Sequence, residues 1–139
     1  MTARTLSAAD LIDRLVDATN RHDLDGLADC FIPEFVNETP VHPARSFTGR
    51  EQVRRNWAQI FAGVPDLETT ILRRLIDEET VWTEWEMRGT RLDGSAHLMR
   101  GVGIFGVSDG RFGWIRFYLE PVDQSTVGID QAVREHLQQ

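Results

Sequence analysis

The sequence has 139 residues, 41% of them apolar, which is material for one domain with a core of its own and too little for two. Its 15 cations are all arginine, and against 22 carboxylates they leave a net charge of -7. That balance argues against nucleic acid as a partner, since a phosphate backbone is bound through a cationic surface. No run approaches the roughly 18 apolar residues of a membrane span.

Met1 to Asp10 has no apolar stretch long enough for a signal-peptide core, so no membrane partner and a cytoplasmic location are expected. Leu11, Ile12, Leu15, Val16 and Ala18 then recur at helical spacing behind Ser7 and Asp10, a Ser-x-x-Asp analogue of the capping box, and predict a helix over about 8–21. A second short helix is expected through Leu27, Ala28, Cys30 and Phe31, stopping at Pro33. Cys30 is the only cysteine, and its apolar setting points to a buried structural thiol rather than a nucleophile.

Phe35 to Thr39 reads as extended, and Pro40 to Phe47, with two prolines and no period, reads as a loop. Thr48 and Glu51 have the spacing of a second capping box, opening a helix that carries Val53, Trp57, Ile60 and Phe61 and ends near residue 62 before Gly63 and Pro65. From there the period becomes two. Strands are predicted over about 67–76, 79–91, 96–108 and 111–121, with turns at Asp77-Glu78, Asp93-Gly94 and Asp109-Gly110, which makes a curved antiparallel meander. Thr126 to Gln139 reads as a short amphipathic helix using Ile129, Ala132, Val133 and Leu137.

Alternation sorts the strands into two faces. Val81, Thr83, Trp85 and Met87, then His97, Met99, Gly101, Gly103 and Phe105, then Ile115, Phe117 and Leu119 share the face that must be buried. The other face carries Glu84, Glu86 and Glu120 opposite Arg88, Arg100 and Arg116. Among these charges lie Trp82, Tyr118, Val102 and Ile104. Apolar and aromatic residues among matched charges fit a homodimer interface formed by Trp82, Glu84, Arg100, Val102, Ile104, Arg116 and Tyr118, the alternative being a solvated face. On the inner face, Gly101 and Gly103 with Trp57, Trp85 and Phe117 point to an aromatic-walled cavity, or else to a filled core whose glycines allow strong curvature.

Three motifs are set aside. Gly101-x-Gly103-x-x-Gly106 has the letters of a dinucleotide fingerprint but lies inside a strand that a hairpin follows, not at a strand-to-helix turn. Asn37-Glu38-Thr39 is a glycosylation acceptor without an expected secretory route. His22, His42, His97 and His136 have no ligand-like spacing, so no metal and no cofactor are expected. No nucleophile motif occurs, which leaves acid–base chemistry or binding.

The order of elements resembles the SnoaL-like branch of the nuclear transport factor 2-like superfamily, which includes ketosteroid isomerases, small polyketide cyclases and limonene epoxide hydrolase. The resemblance is carried by Phe31 to Pro40 (FIPEFVNETP), Phe47 to Glu51 (FTGRE), Val64-Pro65-Asp66-Leu67, Val81 to Gly89 (VWTEWEMRG) and Ser108 to Glu120 (SDGRFGWIRFYLE). It implies one SnoaL-like domain over residues 1–139. The fold would be a cystatin-like α+β cone, a curved antiparallel sheet packed against three N-terminal helices with a short C-terminal helix. It also implies dimerisation through the outer face and a pocket inside the cone.

Carried over position by position, the resemblance lines that pocket with Val16, Thr19, Phe35, Asn37, Thr39, Trp57, Ile60, Val64, Trp85, Met87, Met99, Gly101 and Phe117, with His97 near its end. It also implies catalytic carboxylates or an Arg at positions where this chain has Trp85, Met87 and Phe117. His97 is then the best remaining base, or a solvated rim histidine. Asn37 or the Trp85 indole would hydrogen-bond an enolate-like oxygen, and His42 is a second titratable group at the mouth. Two functions follow as expectations: a cofactor-free isomerase or cyclase acting on an apolar carbonyl compound, or a non-catalytic module that holds a hydrophobic ligand or a protein partner.

Overall fold

The computed structural model describes residues 6–138; the first five residues and Gln139, which belong to the N-terminal and tail readings above, lie outside that range. Helix α1 (Ala8–Asn20) starts as its capping residues predict, with Ser7 Oγ accepting from the Asp10 N–H at 3.1 Å. It buries Leu11, Ile12, Leu15, Ala18 and Thr19, one stripe at helical spacing.

Helix α2 (Leu24–Ala28) is capped by Asp23, which accepts from the Gly26 N–H, and it ends five residues before Pro33. Here the structure corrects the sequence. Cys30 and Phe31 leave the helix because strand β1 (Phe31–Glu38) has a sheet partner to satisfy its backbone, beginning with the Cys30 carbonyl accepting from Phe112 N–H at 2.7 Å. Pro33 sits where the β1 register is irregular, between Phe31 and Val36, so its missing donor breaks no ladder bond. Burial pushes the Cys30 thiol up to about 11, which keeps it protonated at neutral pH.

A 3-10 turn (Pro43–Arg45) and strand β2 (Phe47–Thr48) lead into helix α3 (Arg50–Gly63). The Thr48–Glu51 capping box does not form. Thr48 pairs with Val36 in the sheet, and the cap is Gly49, whose φ of +99° suits a residue without a Cβ.

Strands β3 (Glu68–Asp77), β4 (Thr80–Thr90), β5 (Ala96–Ser108), β6 (Arg111–Phe117) and β7 (Glu120–Pro121) follow. The turns are where Asp, Glu and Gly place them, with positive φ at Glu78, Gly94, Asp109 and Gly110. The sheet order is β2-β1-β6-β5-β4-β3, with β7 also on β5, and its two ends do not meet, so it curves without closing. The expected α+β architecture is present, with one refinement: β1 runs parallel to β6, so the sheet is mixed.

The strand expected over 111–121 is interrupted at Tyr118 and Leu119, yet the register stays in step on both sides, Gly103 opposite Phe117 and Arg100 opposite Glu120. Gly101 explains the interruption. Its φ is +151°, and a Cβ on it would run into the Tyr118 carbonyl and Leu119 Cα.

Helices α1 to α3 cover the inner face, joining Leu11, Leu15 and Val53 to Val81, Trp85, Phe105 and Ile115 in one core. The end of α1 is pinned to β3 by Asn20, whose amide donates to the Thr69 carbonyl and accepts from the Thr69 N–H at 2.7 Å. Helix α4 (Ile129–Leu137) forms from the predicted tail but buries none of its residues. No helix among the described residues is long and apolar enough to cross a membrane.

Candidate functional site

Between α1, α3 and the inner sheet face lies a partly enclosed cavity of about 90 Å³. Leu15 and Thr19 of α1, Phe31, Phe35 and Asn37 of β1, and Phe47 form one side. Val53, Asn56 and Trp57 of α3 form a second, and Trp85, Met87, Phe105, Ile115, Phe117 and Leu119 form the sheet wall. Among these lining residues none carries a carboxylate, a histidine or a cation.

Of the residues expected at the pocket, the structure brings Thr19, Phe35, Asn37, Trp57, Trp85, Met87 and Phe117 together. Six others do not line it. Val16 lies in a groove between α1 and β3. Thr39 is buried at the end of β1. Ile60 and Val64 face a separate open depression, because α3 turns them past the cavity toward the β4–β5 hairpin. Met99 packs against the core without reaching the cavity. Gly101 leaves no room at all, since the Tyr118–Leu119 backbone occupies the space a side chain would take. Beside Gly103, Phe105, Trp85 and Ile115 close in to 3.1–3.4 Å of a Cβ position. The glycines therefore serve close approach and do not open the cavity.

The polar groups at the cavity are largely engaged. Trp85 Nε1–H donates to Thr83 Oγ1 at 2.5 Å, and that hydroxyl donates to the Gly103 carbonyl at 2.7 Å. The indole is thus unavailable as an oxyanion donor, which corrects one expected role. Asn37 Nδ2 donates to Thr39 Oγ1 at 3.0 Å, and the Thr19 hydroxyl donates to the Leu15 carbonyl at 2.7 Å.

His97 lies in the open depression, with Asn56, Gln59, Ile60, Gly63, Val64, Arg91, Leu92 and Asp93, and not in the cavity. It does not meet Asn37. The reason is register: His97 pairs with Gly89 near the hairpin, while the cavity wall lies around the Trp85–Gly101 pairing. Its ring has no hydrogen-bond partner among the described residues, and burial, seconded by the Arg91 charge, holds its pKa below the ordinary histidine value. His42 is drawn to the outer face, where Nε2 lies 2.7 Å from Glu120 Oε1.

Sequence reasoning missed Leu15, Phe31, Phe47, Val53, Asn56, Phe105, Ile115 and Leu119. Phe105, Ile115 and Leu119 were on the expected inner face, and period two could have put them at the pocket. Phe31 falls at helical spacing in the sequence but on a strand in the fold, and nothing in helical spacing separates Asn56 from its solvated neighbours.

The outer face carries the charges predicted for it with different pairings. Glu86 takes both Arg88, at 2.5 Å, and Arg100, at 3.0 Å. Arg116 turns to Glu38 at 3.1 Å, Glu84 is 4.0 Å from Arg73, and Glu120 meets His42. The predicted opposition counted only the three later strands, whereas β1, β3 and the mouth loop supply nearer partners. Leu75, Trp82 and Trp114 stay exposed on this face.

The family model of the SnoaL-like domain matches residues 12–113. No curated protein matches the chain. Solved structures share the fold: IdmH of Streptomyces antibioticus, a candidate polyketide cyclase, at 23% identity and TM-score 0.70 over 81% of this chain and 91% of its own. An LEH-like epoxide hydrolase of M. tuberculosis is 20% identical with TM-score 0.69, over 81% of this chain and 82% of its own. A Catenulispora acidiphila protein with a ketosteroid isomerase-like fold, solved with trimethylamine, is 14% identical with TM-score 0.68, over 78% of this chain and 85% of its own.

Proposed function

The chain belongs to the SnoaL-like domain family, and on that premise we propose that its cavity binds an apolar small molecule bearing a carbonyl group. The observation that carries this reading is the cavity wall itself: aromatic and aliphatic side chains around about 90 Å³, with Thr19, Asn37 and Asn56 the polar lining residues. That volume is below the ~150 Å³ of an engineered apolar cavity that admits benzene, so the occupant is a small ring or the tip of a longer molecule. Solvent extraction and native mass spectrometry of freshly purified protein test it. A co-purifying apolar compound, displaced by small cyclic ketones, is the expected result; a cavity that excludes every such probe in protein-observed NMR overturns it.

A second reading, a cofactor-free isomerase or cyclase, is favoured by the state of His97. A depressed pKa keeps its imidazole neutral at pH 7, able to accept a proton. In this reading the substrate carbon that loses its proton lies beyond the cavity, in the depression, and the same proton returns to another carbon of the substrate. Any turnover found must then fall by about 10²-fold in His97→Ala; unchanged turnover removes His97 as base and leaves the binding reading standing.

We also infer that the outer face receives a second copy of the chain. Exposed Trp82, Leu75 and Trp114 among exposed ion pairs support a self-complementary contact.

A further inference from the structure

We propose that Asn56 presents only hydrogen-bond donors to the ligand, and so selects a carbonyl or other acceptor at the junction between the cavity and the His97 depression. The inference rests on the binding reading above and names the group that reads the ligand's polar atom.

Position comes first. Asn56 is the one residue that lines both the cavity and the depression, so a molecule that reaches from the cavity toward the depression passes this amide. The side chain is half-buried, where a hydrogen bond is shielded from competing water.

The polarity of the amide follows from its neighbours on α3. The orientation of an asparagine or glutamine amide is assigned from its partners, and here the chain of partners starts at a group with no choice. A guanidinium can only donate. Arg55 Nη2 donates to Gln52 Oε1 at 2.5 Å, which turns Gln52 Nε2 toward Asn56; Nε2 donates to Asn56 Oδ1 at 2.8 Å. The Asn56 oxygen is thereby turned to Gln52, one of its lone pairs taken, and Nδ2, with two N–H donors, has no partner among the described residues. Both atoms of the amide are therefore fixed by a residue that does not touch the cavity, since Arg55 is exposed.

The other polar lining groups differ in kind. Asn37 gives one N–H to Thr39, the Thr19 hydroxyl proton is given to the Leu15 carbonyl, leaving Thr19 as an acceptor, and the Trp57 indole N–H lines the cavity but not the depression. Of the polar residues that line the cavity, only Asn56 also lines the depression and so meets an acceptor at that end. Its ligand class is an apolar ring or short chain with a carbonyl oxygen at one end.

Three probes of one shape test this: cyclopentanone, methylenecyclopentane, which replaces the oxygen by CH₂, and cyclopentanol, which can donate. Affinities are read by NMR titration of the full chain. Asn56→Leu is expected to weaken cyclopentanone about fivefold, the yield of one neutral hydrogen bond, and to leave methylenecyclopentane unchanged or tighter. Gln52→Glu is the sharper variant. A carboxylate at that position accepts from Arg55 and has no proton for Asn56, so the Asn56 amide turns its N–H inward and shows its oxygen to the junction. Cyclopentanone then weakens by about the same factor while cyclopentanol gains, an inversion that a loss of helix packing would not produce. Equal shifts for all three probes, or no shift in either variant, overturn the inference while leaving the binding reading intact. Failure of every probe to bind the wild type overturns both.

Discussion

The two faces of this sheet are built by alternate residues of the same strands, and they handle polar groups in opposite ways. On the inner face of β4, Thr83, Trp85 and Met87 are buried, and the polar atoms among them form a closed chain from indole to hydroxyl to the Gly103 carbonyl. On the outer face of the same strand, Glu84 and Glu86 reach across to Arg73 of β3 and Arg100 of β5, and Arg88 pairs with Glu86 along the strand, all in contact with solvent. An inner group that loses its partner has no water to turn to; an outer one does. Substitutions should therefore be costly and specific inside and tolerated outside, and that contrast can be tested.

The largest effect is expected inside, at Gly101→Ala. The added methyl meets the backbone of Tyr118 and Leu119 rather than a side chain that could move, at a φ that L-residues rarely adopt. A loss of about 3 kcal/mol in urea unfolding is expected, with β7 detaching from β5. A near-neutral result would mean that the close approach of these strands is not needed. Next comes Thr83→Val, which keeps the shape of the side chain and strands the Trp85 donor in the core. About 2 kcal/mol is expected from the unsatisfied indole. If the variant instead binds cyclic ketones more tightly, the released N–H has turned into the cavity.

Much of this contrast was legible in the sequence. Period two separated Val81, Thr83, Trp85 and Met87 from Trp82, Glu84, Glu86 and Arg88, and the burial along β4 follows it. The Asp109-Gly110 turn and the Ser7 cap also follow from local chemistry, because each is decided by a few adjacent residues. What period two does not encode is which strands become neighbours. The parallel pairing of β1 with β6 joins segments some eighty residues apart, and it both converts Phe31 from helix to strand and brings Glu38 to Arg116. At the site, the same gap appears as the separation of His97 from Asn37. Both sit on elements named correctly, but their distance depends on how far along β5 the cavity ends, which no alternation rule sets. Asn56 was missed for a different reason: its role depends on a hydrogen-bond direction relayed from Arg55, not on its place in a pattern.

Outside, the test concerns assembly. Trp82→Arg removes an indole that is 48% exposed and adds one more cation to an already charged row. With a second copy seated on this face, sedimentation equilibrium should show the dimer weakened at least about tenfold, as for a central aromatic contact, with the midpoint of unfolding of the separated chains unchanged. A wild type that sediments as a monomer at the highest concentrations ends the proposal, and the same row is then a solvated surface.

The smallest effect is expected at Glu86, and its dependence on pH identifies it. Hydrogen bonds from Arg88 and, after a smaller opposing contribution from desolvation, from Arg100 hold its carboxyl below the ordinary glutamate range. The unfolded chain binds the proton more readily, so the stabilisation is fully present above the unfolded glutamate value and is lost as pH falls through the lower folded value. Glu86→Gln removes the titrating group. The difference between wild type and variant in urea midpoint should therefore be constant at neutral pH, shrink below about pH 4.5 and vanish once the wild-type carboxyl is protonated. It should shrink further with added salt, because the arginines remain exposed. The Thr83→Val difference has no charge behind it and should hold its value across the same titration. If both differences fall together as the solution is acidified, the acid loss belongs to the whole fold and not to the outer face. If neither falls, the three-membered ion pair on β4 and β5 contributes nothing that protonation can remove.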